Sequence, residues 1–235
     1  MRGSLARDPE TQAGPEPTDL ARYIDHTLLA ADAGARQIDA LCDEARVHGF
    51  AAVCVHGCWV ARCAERLADS PVVVCSVVSF PLGAMAPAAK VAEAAGCVAD
   101  GAREVDVVLN LGALRSGDHA LVRADLTGVA EVCHAGGALL KVILETALLT
   151  REEQVLACQL ALEAGSDYVK TSTGFGPGGA SVEDVALLRA CVGPDWGVKA
   201  SGGIRDASQA FAMIAAGATR LGTSASVTIV EGSRA

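Results

Sequence analysis

From Leu20 onward the chain alternates short, densely apolar runs with longer stretches whose apolar residues recur every three or four positions. Short runs rich in β-branched residues read as buried strands, and the three-to-four spacing reads as helix. The strand-like runs are RYID (22–25), FAAVCV (50–55), VVVCSVV (72–78), EVDVVL (104–109), LLKVILE (139–145), DYVKT (167–171), WGVKA (196–200) and TRLGT (219–223). Helix start signals fall between them: Thr150 with Glu153, Ser181 with Asp184 and Asp206 with Gln209 match or approach a capping box. Between Ser116 and His134, Val122, Leu126, Val129 and Cys133 recur at helical spacing. Repeated strand–helix units predict a parallel sheet. Eight of them predict closure into a single-domain (β/α)8 TIM barrel over residues 19–235. An open doubly wound sheet is the competing arrangement, although no GxGxxG follows the first strand, which weighs against its dinucleotide-binding form. Residues 1–18 are rich in Pro, Gly and charge, show no periodicity, and are expected to form a frayed lead-in.

At 235 residues, with 51% hydrophobic and 20% charged side chains, the chain has material for one sizeable core. Aromatics supply only 3%, so Ala, Val and Leu must fill it. A formal charge of −9 argues against general nucleic-acid binding, which requires a basic face, but is compatible with a small anion held by a local donor cluster. No apolar run reaches the roughly 18–20 residues of a membrane span, and no signal-peptide pattern opens the chain. The nine cysteines are odd in number and scattered through apolar segments, so they are expected to be reduced, buried hydrophobes of a cytoplasmic protein. Cys54-Val55-His56-Gly57-Cys58, with Cys63 beyond, contains no CxxC pair and lacks a second ligand pair, so no metal is expected there.

Alternation along the strands makes the charges informative, because every second residue of a barrel strand faces the lumen. If Val105, Val107 and Leu109 pack under the helices, then Glu104, Asp106, Val108 and Asn110 face inward. By the same rule Lys141, Ile143 and Glu145, then Tyr168 and Lys170, then Lys199 face inward. The opposite register would bury these charges in the dry layer beneath the helices. Lysine is scarce, only four of 19 basic residues, and three of the four share this facing on consecutive strands. The fourth, Lys90, lies in a helical pattern and is expected to be solvated. Arginine would keep the charge, but only an amine can be deprotonated and attack a carbonyl. Neighbouring strands lie roughly 4.8 Å apart, so Lys170 and Lys199 can approach each other. Like charges at close range favour a neutral amine. Two lysines with Asp106 as a proton carrier suit Schiff-base chemistry, whereas the same groups could also satisfy one another structurally. Asp25 and His26 could cap the loop of the first strand, and His48, His119 and His134 read as surface or packing residues.

Gly202-Gly203-Ile204-Arg205 follows the seventh run and Gly222-Thr223-Ser224 the eighth. Loops after strands seven and eight, with a helix N-terminus, commonly hold phosphate in such barrels. Glycines let backbone N–H groups approach the phosphate oxygens, and a serine adds a donor.

At these residues the chain resembles the deoxyribose-phosphate aldolase family, from Tyr23 to about Gly232. The resemblance is carried by IDHTLL (24–29), AAVCV (51–55), SFPLG (79–83), EVDVVLNLGALRSGD (104–118), LKVILET (140–146), DYVKTSTGFGPGGA (167–180), VKASGGIRD (198–206) and LGTSAS (221–226). It implies a class I, metal-independent and cofactor-free aldol reaction joining acetaldehyde to a phosphorylated sugar aldehyde, D-glyceraldehyde 3-phosphate. It implies Lys170 as the Schiff-base lysine, Lys199 as the neighbour that depresses its pKa, and Asp106 as the relay carboxylate. Gly174, Gly202, Gly203, Gly222 and Ser224 match positions expected around the phosphate. Cys54 and Lys141 are implied to line the site, with Asp25 in a supporting role. The chain departs from the family at Phe175, where some members carry a lysine, and at Ala225, which leaves one hydroxyl fewer. The outward helix faces show no distinctive interface pattern, so a homo-oligomer, dimer or tetramer, stays open. A Schiff-base barrel aldolase for another phosphorylated sugar and a non-catalytic sugar-phosphate binding protein are the competing readings.

Overall fold

The structure, a computed structural model, describes residues 17–234, with side chains from Leu20. Strands β1 (Ile24–Thr27), β2 (Ala52–Val55), β3 (Val73–Val78), β4 (Glu104–Val108), β5 (Leu139–Ile143), β6 (Tyr168–Lys170), β7 (Gly197–Ser201) and β8 (Arg220–Thr223) pair in chain order, all parallel. The last pairs back onto the first, closing a (β/α)8 barrel rather than an open sheet. Around it run α1 (Ala35–His48), α2 (Val60–Arg66), α3 (Pro87–Ala99), α4 (Leu111–Arg115), α5 (His119–Ala135), α6 (Arg151–Glu163), α7 (Val182–Val192), α8 (Ala207–Ala215) and α9 (Ser226–Gly232). Among the described residues no helix is long and apolar enough to cross a membrane.

Local chemistry sets the helix starts. Thr150 and Glu153 form a full capping box at α6, while the Ser181 and Asp206 side chains accept from the N–H groups of Asp184 and Gln209 at α7 and α8. Of the expected lead-in, residues 1–16 lie outside the described residues. A 3-10 helix, Pro17–Tyr23, takes the first two positions of the RYID run, so β1 begins only at Ile24. The run LLKVILE stops pairing as a strand at Ile143, and Glu145 turns the chain through a left-handed conformation with φ 56°.

The alternation rule holds. Val105, Val107, Leu109, Val142, Leu144, Val169 and Val198 are buried in the apolar layer shared by strands and helices. A smaller cluster, Ala52, Cys54, Cys75 and Val77 with Leu29, forms a separate apolar wall from β2 and β3. All nine cysteines are free thiols, seven of them buried.

Lys90 corrects the expectation of a solvated side chain. It is fully buried, and its ammonium donates to Asp125 Oδ2 in α5 (2.5 Å) and to the Val108 carbonyl at the end of β4 (3.0 Å). The signal was present in the sequence: Lys90, Ala94 and Cys97 share the buried stripe of α3. Burial raises the Asp125 carboxyl above its ordinary value despite the lysine beside it. A buried pair of this kind is worth little against an apolar replacement, but losing one partner strands a charge. Lys90→Met is therefore expected to cost about 3–5 kcal/mol, and Lys90→Met combined with Asp125→Leu to recover most of that loss, as read by urea unfolding.

Candidate active site

The lumen divides into two halves. The apolar wall of β2 and β3 faces a charged half built by β1 and β4–β8, whose centre is Asp106 on β4. Parallel register sets Asp106 level with Lys141 and Lys170 level with Lys199, and Lys199 level with Arg220. Each of these side chains points inward because its strand neighbours fill the outer apolar layer.

Asp106 is completely buried and accepts four bonds. Lys141 Nζ (2.8 Å) and the Cys75 thiol (3.2 Å) donate to Oδ1, while Lys170 Nζ (2.8 Å) and Lys199 Nζ (2.7 Å) donate to Oδ2. An ionised carboxylate offers about four lone-pair positions, so its acceptor capacity is filled. Burial would raise its pKa, but Lys141, Lys170 and Lys199 outweigh that and hold it well below the usual carboxylate range. Asp25 on β1 accepts from Lys199 (2.5 Å) and is likewise held low, its burial overcome by Lys199, Lys141 and Arg220.

Lys199 is buried, and burial alone would lower it; Asp106 and Asp25 outweigh burial and raise it. Lys199 is thus held as an ammonium one strand away from Lys170. Burial works against the charge on Lys141 in the same way, and the carboxylates of Asp106, Glu104 and Asp25 reverse it. Lys170 differs geometrically: its single carboxylate partner is Asp106, and it is 3% exposed where Lys141 and Lys199 are 0%.

Two members of this cluster were not singled out from sequence. Arg220 on β8 donates to Asp25 Oδ1 (2.6 Å) and to both oxygens of Glu104 (3.1 and 3.0 Å), and its guanidinium lies 5.9 Å from the Tyr168 ring centre. The alternation rule placed Glu104 inward without assigning it work. The same alternation in TRLGT turns Arg220 inward, with Leu221 in the outer apolar layer.

Glycine makes room for these long side chains. A Cβ on Gly222 would lie 2.9 Å from Ser201 Cβ and 3.0 Å from Lys199 Cε, so the bare backbone there lets the lysine stem pass. Of the other expected phosphate positions, Gly174, Gly202 and Gly203 sit in left-handed backbone at φ 83°, 91° and 81°. The loop after β6 lies against the loop after β7, with Ala180 N–H donating to the Gly202 carbonyl (2.9 Å). Ser224 is exposed just after β8, and Arg205 is exposed after β7. These positions therefore gather at the C-terminal ends of neighbouring strands, where barrels of this kind bind ligands. Phe175 stands at the same end, 57% exposed, its ring edge-on to Phe80 at 5.2 Å between centres.

Other residues part company. Cys54 lies in the lumen wall beside Cys75. Cys58 is exposed, and Cys63 is buried in the outer core beside Cys42, so the sequence cluster does not converge. Cys54, Cys75 and Asp106 do bring ligand atoms within 4.8 Å of one another, as do Asp25, Cys75 and Glu104. Their carboxylates, however, already serve ammonium and guanidinium groups that would repel a cation. Asp25 faces the lumen, whereas His26 points outward to Ser226 (2.9 Å) and Glu44 (2.7 Å), so neither caps the loop of the first strand. His134 binds Asp167 at 2.9 Å, in keeping with a packing role.

Fold and site together define a barrel enzyme of the aldolase class. The model of the DeoC/LacD family aldolases matches residues 20–227. The chain is 58% identical over 216 residues to a deoxyribose-phosphate aldolase from Brevibacillus brevis, covering 92% of this chain and 97% of that one. It is 54% identical to a deoxyribose-phosphate aldolase from Enterococcus faecalis, covering 91% of this chain and 97% of that one. The solved structure of a deoxyribose phosphate aldolase from Aeropyrum pernix, described as a unique tetramer, is 34% identical with a TM-score of 0.88, covering 94% of this chain and 93% of that one. This chain belongs to the DeoC/LacD aldolase family.

The buried charges predict a stability window. Asp25 and Asp106 titrate lower in the folded chain than the ordinary 3.8, so the unfolded chain takes up their protons first. Stability is therefore held above that value and lost as the pH falls below it, with a slope of about 2.7 kcal/mol per pH unit from these two groups alone. Lys141 and Lys199 titrate above 10.5, so their contribution is held below that value and lost as the pH climbs past it. Urea unfolding across both ranges is expected to show both losses; a flat acid side would contradict the assignment.

Proposed function

We propose that this chain cleaves 2-deoxy-D-ribose 5-phosphate reversibly to D-glyceraldehyde 3-phosphate and acetaldehyde, through a Schiff base on Lys170. The observation that carries this reading is the position of Lys170. It is the lumen amine with some exposure and one carboxylate partner, and that carboxylate oxygen is shared with a second lysine.

The amine form of Lys170 attacks the C1 aldehyde of the open-chain sugar, and the carbinolamine loses water to give an iminium. Asp106 Oδ2, already bonded to Lys170, is the acceptor for the proton the amine gives up. With the Lys170 nitrogen taken into the iminium, its position on Asp106 Oδ2 opens to a water, and a base linked to Asp106 through that water removes the C3 hydroxyl proton. The C2–C3 bond breaks, its electron pair flows into the iminium, and C3 leaves as the aldehyde of glyceraldehyde 3-phosphate. The enamine left on Lys170 is protonated at C2, and water hydrolyses the resulting iminium to acetaldehyde. Lys199, held as an ammonium by Asp106 and Asp25, favours a neutral partner beside it. Lys141, on Asp106 Oδ1, and Cys54, in the apolar wall, are buried in the same lumen.

For the phosphate we assign the glycine-rich loops after β6, β7 and β8, with Gly174, Gly202, Gly203 and Gly222 offering close backbone approach and Ser224 a hydroxyl. Phe175 brings no charge to this end, whereas Arg205 is an exposed cation in the loop after β7. A homo-oligomer is in keeping with the tetrameric relative, and the lumen chemistry calls for no cofactor.

Incubation with acetaldehyde followed by borohydride reduction is expected to leave an N-ethyl group on Lys170, mapped by peptide mass. Lys170→Arg keeps the charge and is expected to give no adduct and no turnover. An adduct confined to another lysine would overturn the assignment. Turnover of fructose 1,6-bisphosphate in preference to the deoxy sugar would move the enzyme to a different aldolase specificity.

A further inference from the structure

The lumen contacts close on themselves. Arg220 holds Asp25, Asp25 holds Lys199, Lys199 holds Asp106, Asp106 holds Lys141, Lys141 holds Glu104, and Glu104 returns to Arg220. Three carboxylates and three cations alternate around this ring, so formally it carries no net charge. Lys170 is bonded to the ring only through Asp106 and stands outside it as one cation more than the carboxylates can balance. A charge in a buried setting with no counter-charge is costly, and the cluster becomes neutral if a single proton leaves.

We propose that Arg220 and Glu104, two of the three ring members that do not touch Asp106, are positioning residues whose opposite charges set how readily the lumen releases the one proton that Lys170 must lose to act as a nucleophile. The inference rests on the reading of Lys170 given above. Arg220 stands opposite Asp106 in the ring order. It acts through Asp25, which holds Lys199, and through Glu104, which holds Lys141 (2.6 Å). Its own proton affinity is raised: burial opposes its charge, but Asp25 and Glu104 outweigh burial, so it is a permanent cation in the balance. The bidentate fork to Glu104 and the separate bond to Asp25 also fix both carboxylates, which a lysine at this position could not match.

The groups that face this cluster come from every strand. They are Asp25 from β1, the Cys54 and Cys75 thiols from β2 and β3, Glu104 and Asp106 from β4, and Lys141 from β5. Tyr168 joins Lys170 from β6, with Lys199 and Arg220 from β7 and β8. Glu145, in the loop after β5, is engaged by the Thr173 hydroxyl. Burial holds the Cys75 thiol well above its ordinary value, so it enters the balance uncharged.

Charge balance and simple scaffolding make opposite forecasts, which the pH dependence of kcat/KM separates. Removing the cation with Arg220→Met leaves the lumen more negative, so the acid limb of the profile is expected to move up by roughly one pH unit. Removing the anion with Glu104→Gln leaves it more positive, so the limb is expected to move down by a similar amount. The double variant restores the balance and is expected to return the limb near that of the parent. Arg220→Lys is expected to leave the limb in place while lowering the unfolding midpoint. A purely structural role would reduce activity in all four without opposed shifts, and limbs that stay fixed or move together would overturn the proposal. Should Arg220→Met fail to fold, Glu104→Gln and Arg220→Lys decide: the first must move the limb down and the second must not move it. Borohydride trapping on the parent keeps the two readings apart. An adduct on Lys170 with unmoved limbs overturns this inference alone, whereas no adduct overturns the nucleophile and this inference with it.

Discussion

Everything polar in this barrel is organised by the need to keep buried ammonium groups company. Three lysines enter a lumen with almost no solvent contact, and one carboxylate, Asp106, touches all three. An isolated ammonium in such a setting would shed its proton or unfold the chain. Asp106 prevents this for Lys141 and Lys199 with help from Glu104 and Asp25, and its own two oxygens are filled in doing so. A carboxylate with no spare acceptor position is suited to exchanging protons with the lysines around it, and poorly suited to reaching substrate directly.

That constraint propagates outward. The six ring members come from β1, β4, β5, β7 and β8, so the network can form only if the barrel closes in the correct register. One residue of slip on any of these strands would turn a charge into the apolar layer and a valine into the lumen. The register is held from outside by Val105, Val107, Val142, Val169 and Val198, which have no alternative home. Small residues do the remaining fitting: Gly222 clears the stem of Lys199, and Gly197 clears the ring of Tyr168 beneath Arg220. The apolar wall from β2 and β3 leaves the opposite side of the lumen without competing charges.

The facing of the lumen charges is written in the strands themselves. Alternation within EVDVV, LLKVI, DYVKT and WGVKA forced Asp106, Lys141, Lys170 and Lys199 onto one face, because the reverse register would cost too much. Lys90 is a charge whose burial depends on a distant partner. It belongs to the buried stripe of α3 with Ala94 and Cys97, but a lone lysine in a helix reads as solvated unless its partner is known. That partner, Asp125, lies 35 residues away on α5, and no local pattern announces it. Gly222 is a related case: as part of a glycine loop it suggested phosphate, and the fold adds a packing reason in the lysine stem beside it.

The sequence by itself determined which way each strand faces and therefore which charges enter the lumen, because hydrophobic alternation is a local property with a large energetic penalty for error. It also determined the order of strands and helices and the helix caps, which depend on neighbours three or four residues apart. Only the tertiary structure decided how those charges pair. Asp25 and Arg220 are separated by 195 residues, and Glu104 and Arg220 by 116, yet barrel closure sets them in contact. Proton affinity follows from those pairings rather than from residue type. Burial alone would lower Lys199, whereas the two carboxylates that closure brings beside it raise it. Spacing along a chain specifies facing; distance across a closed barrel specifies electrostatics.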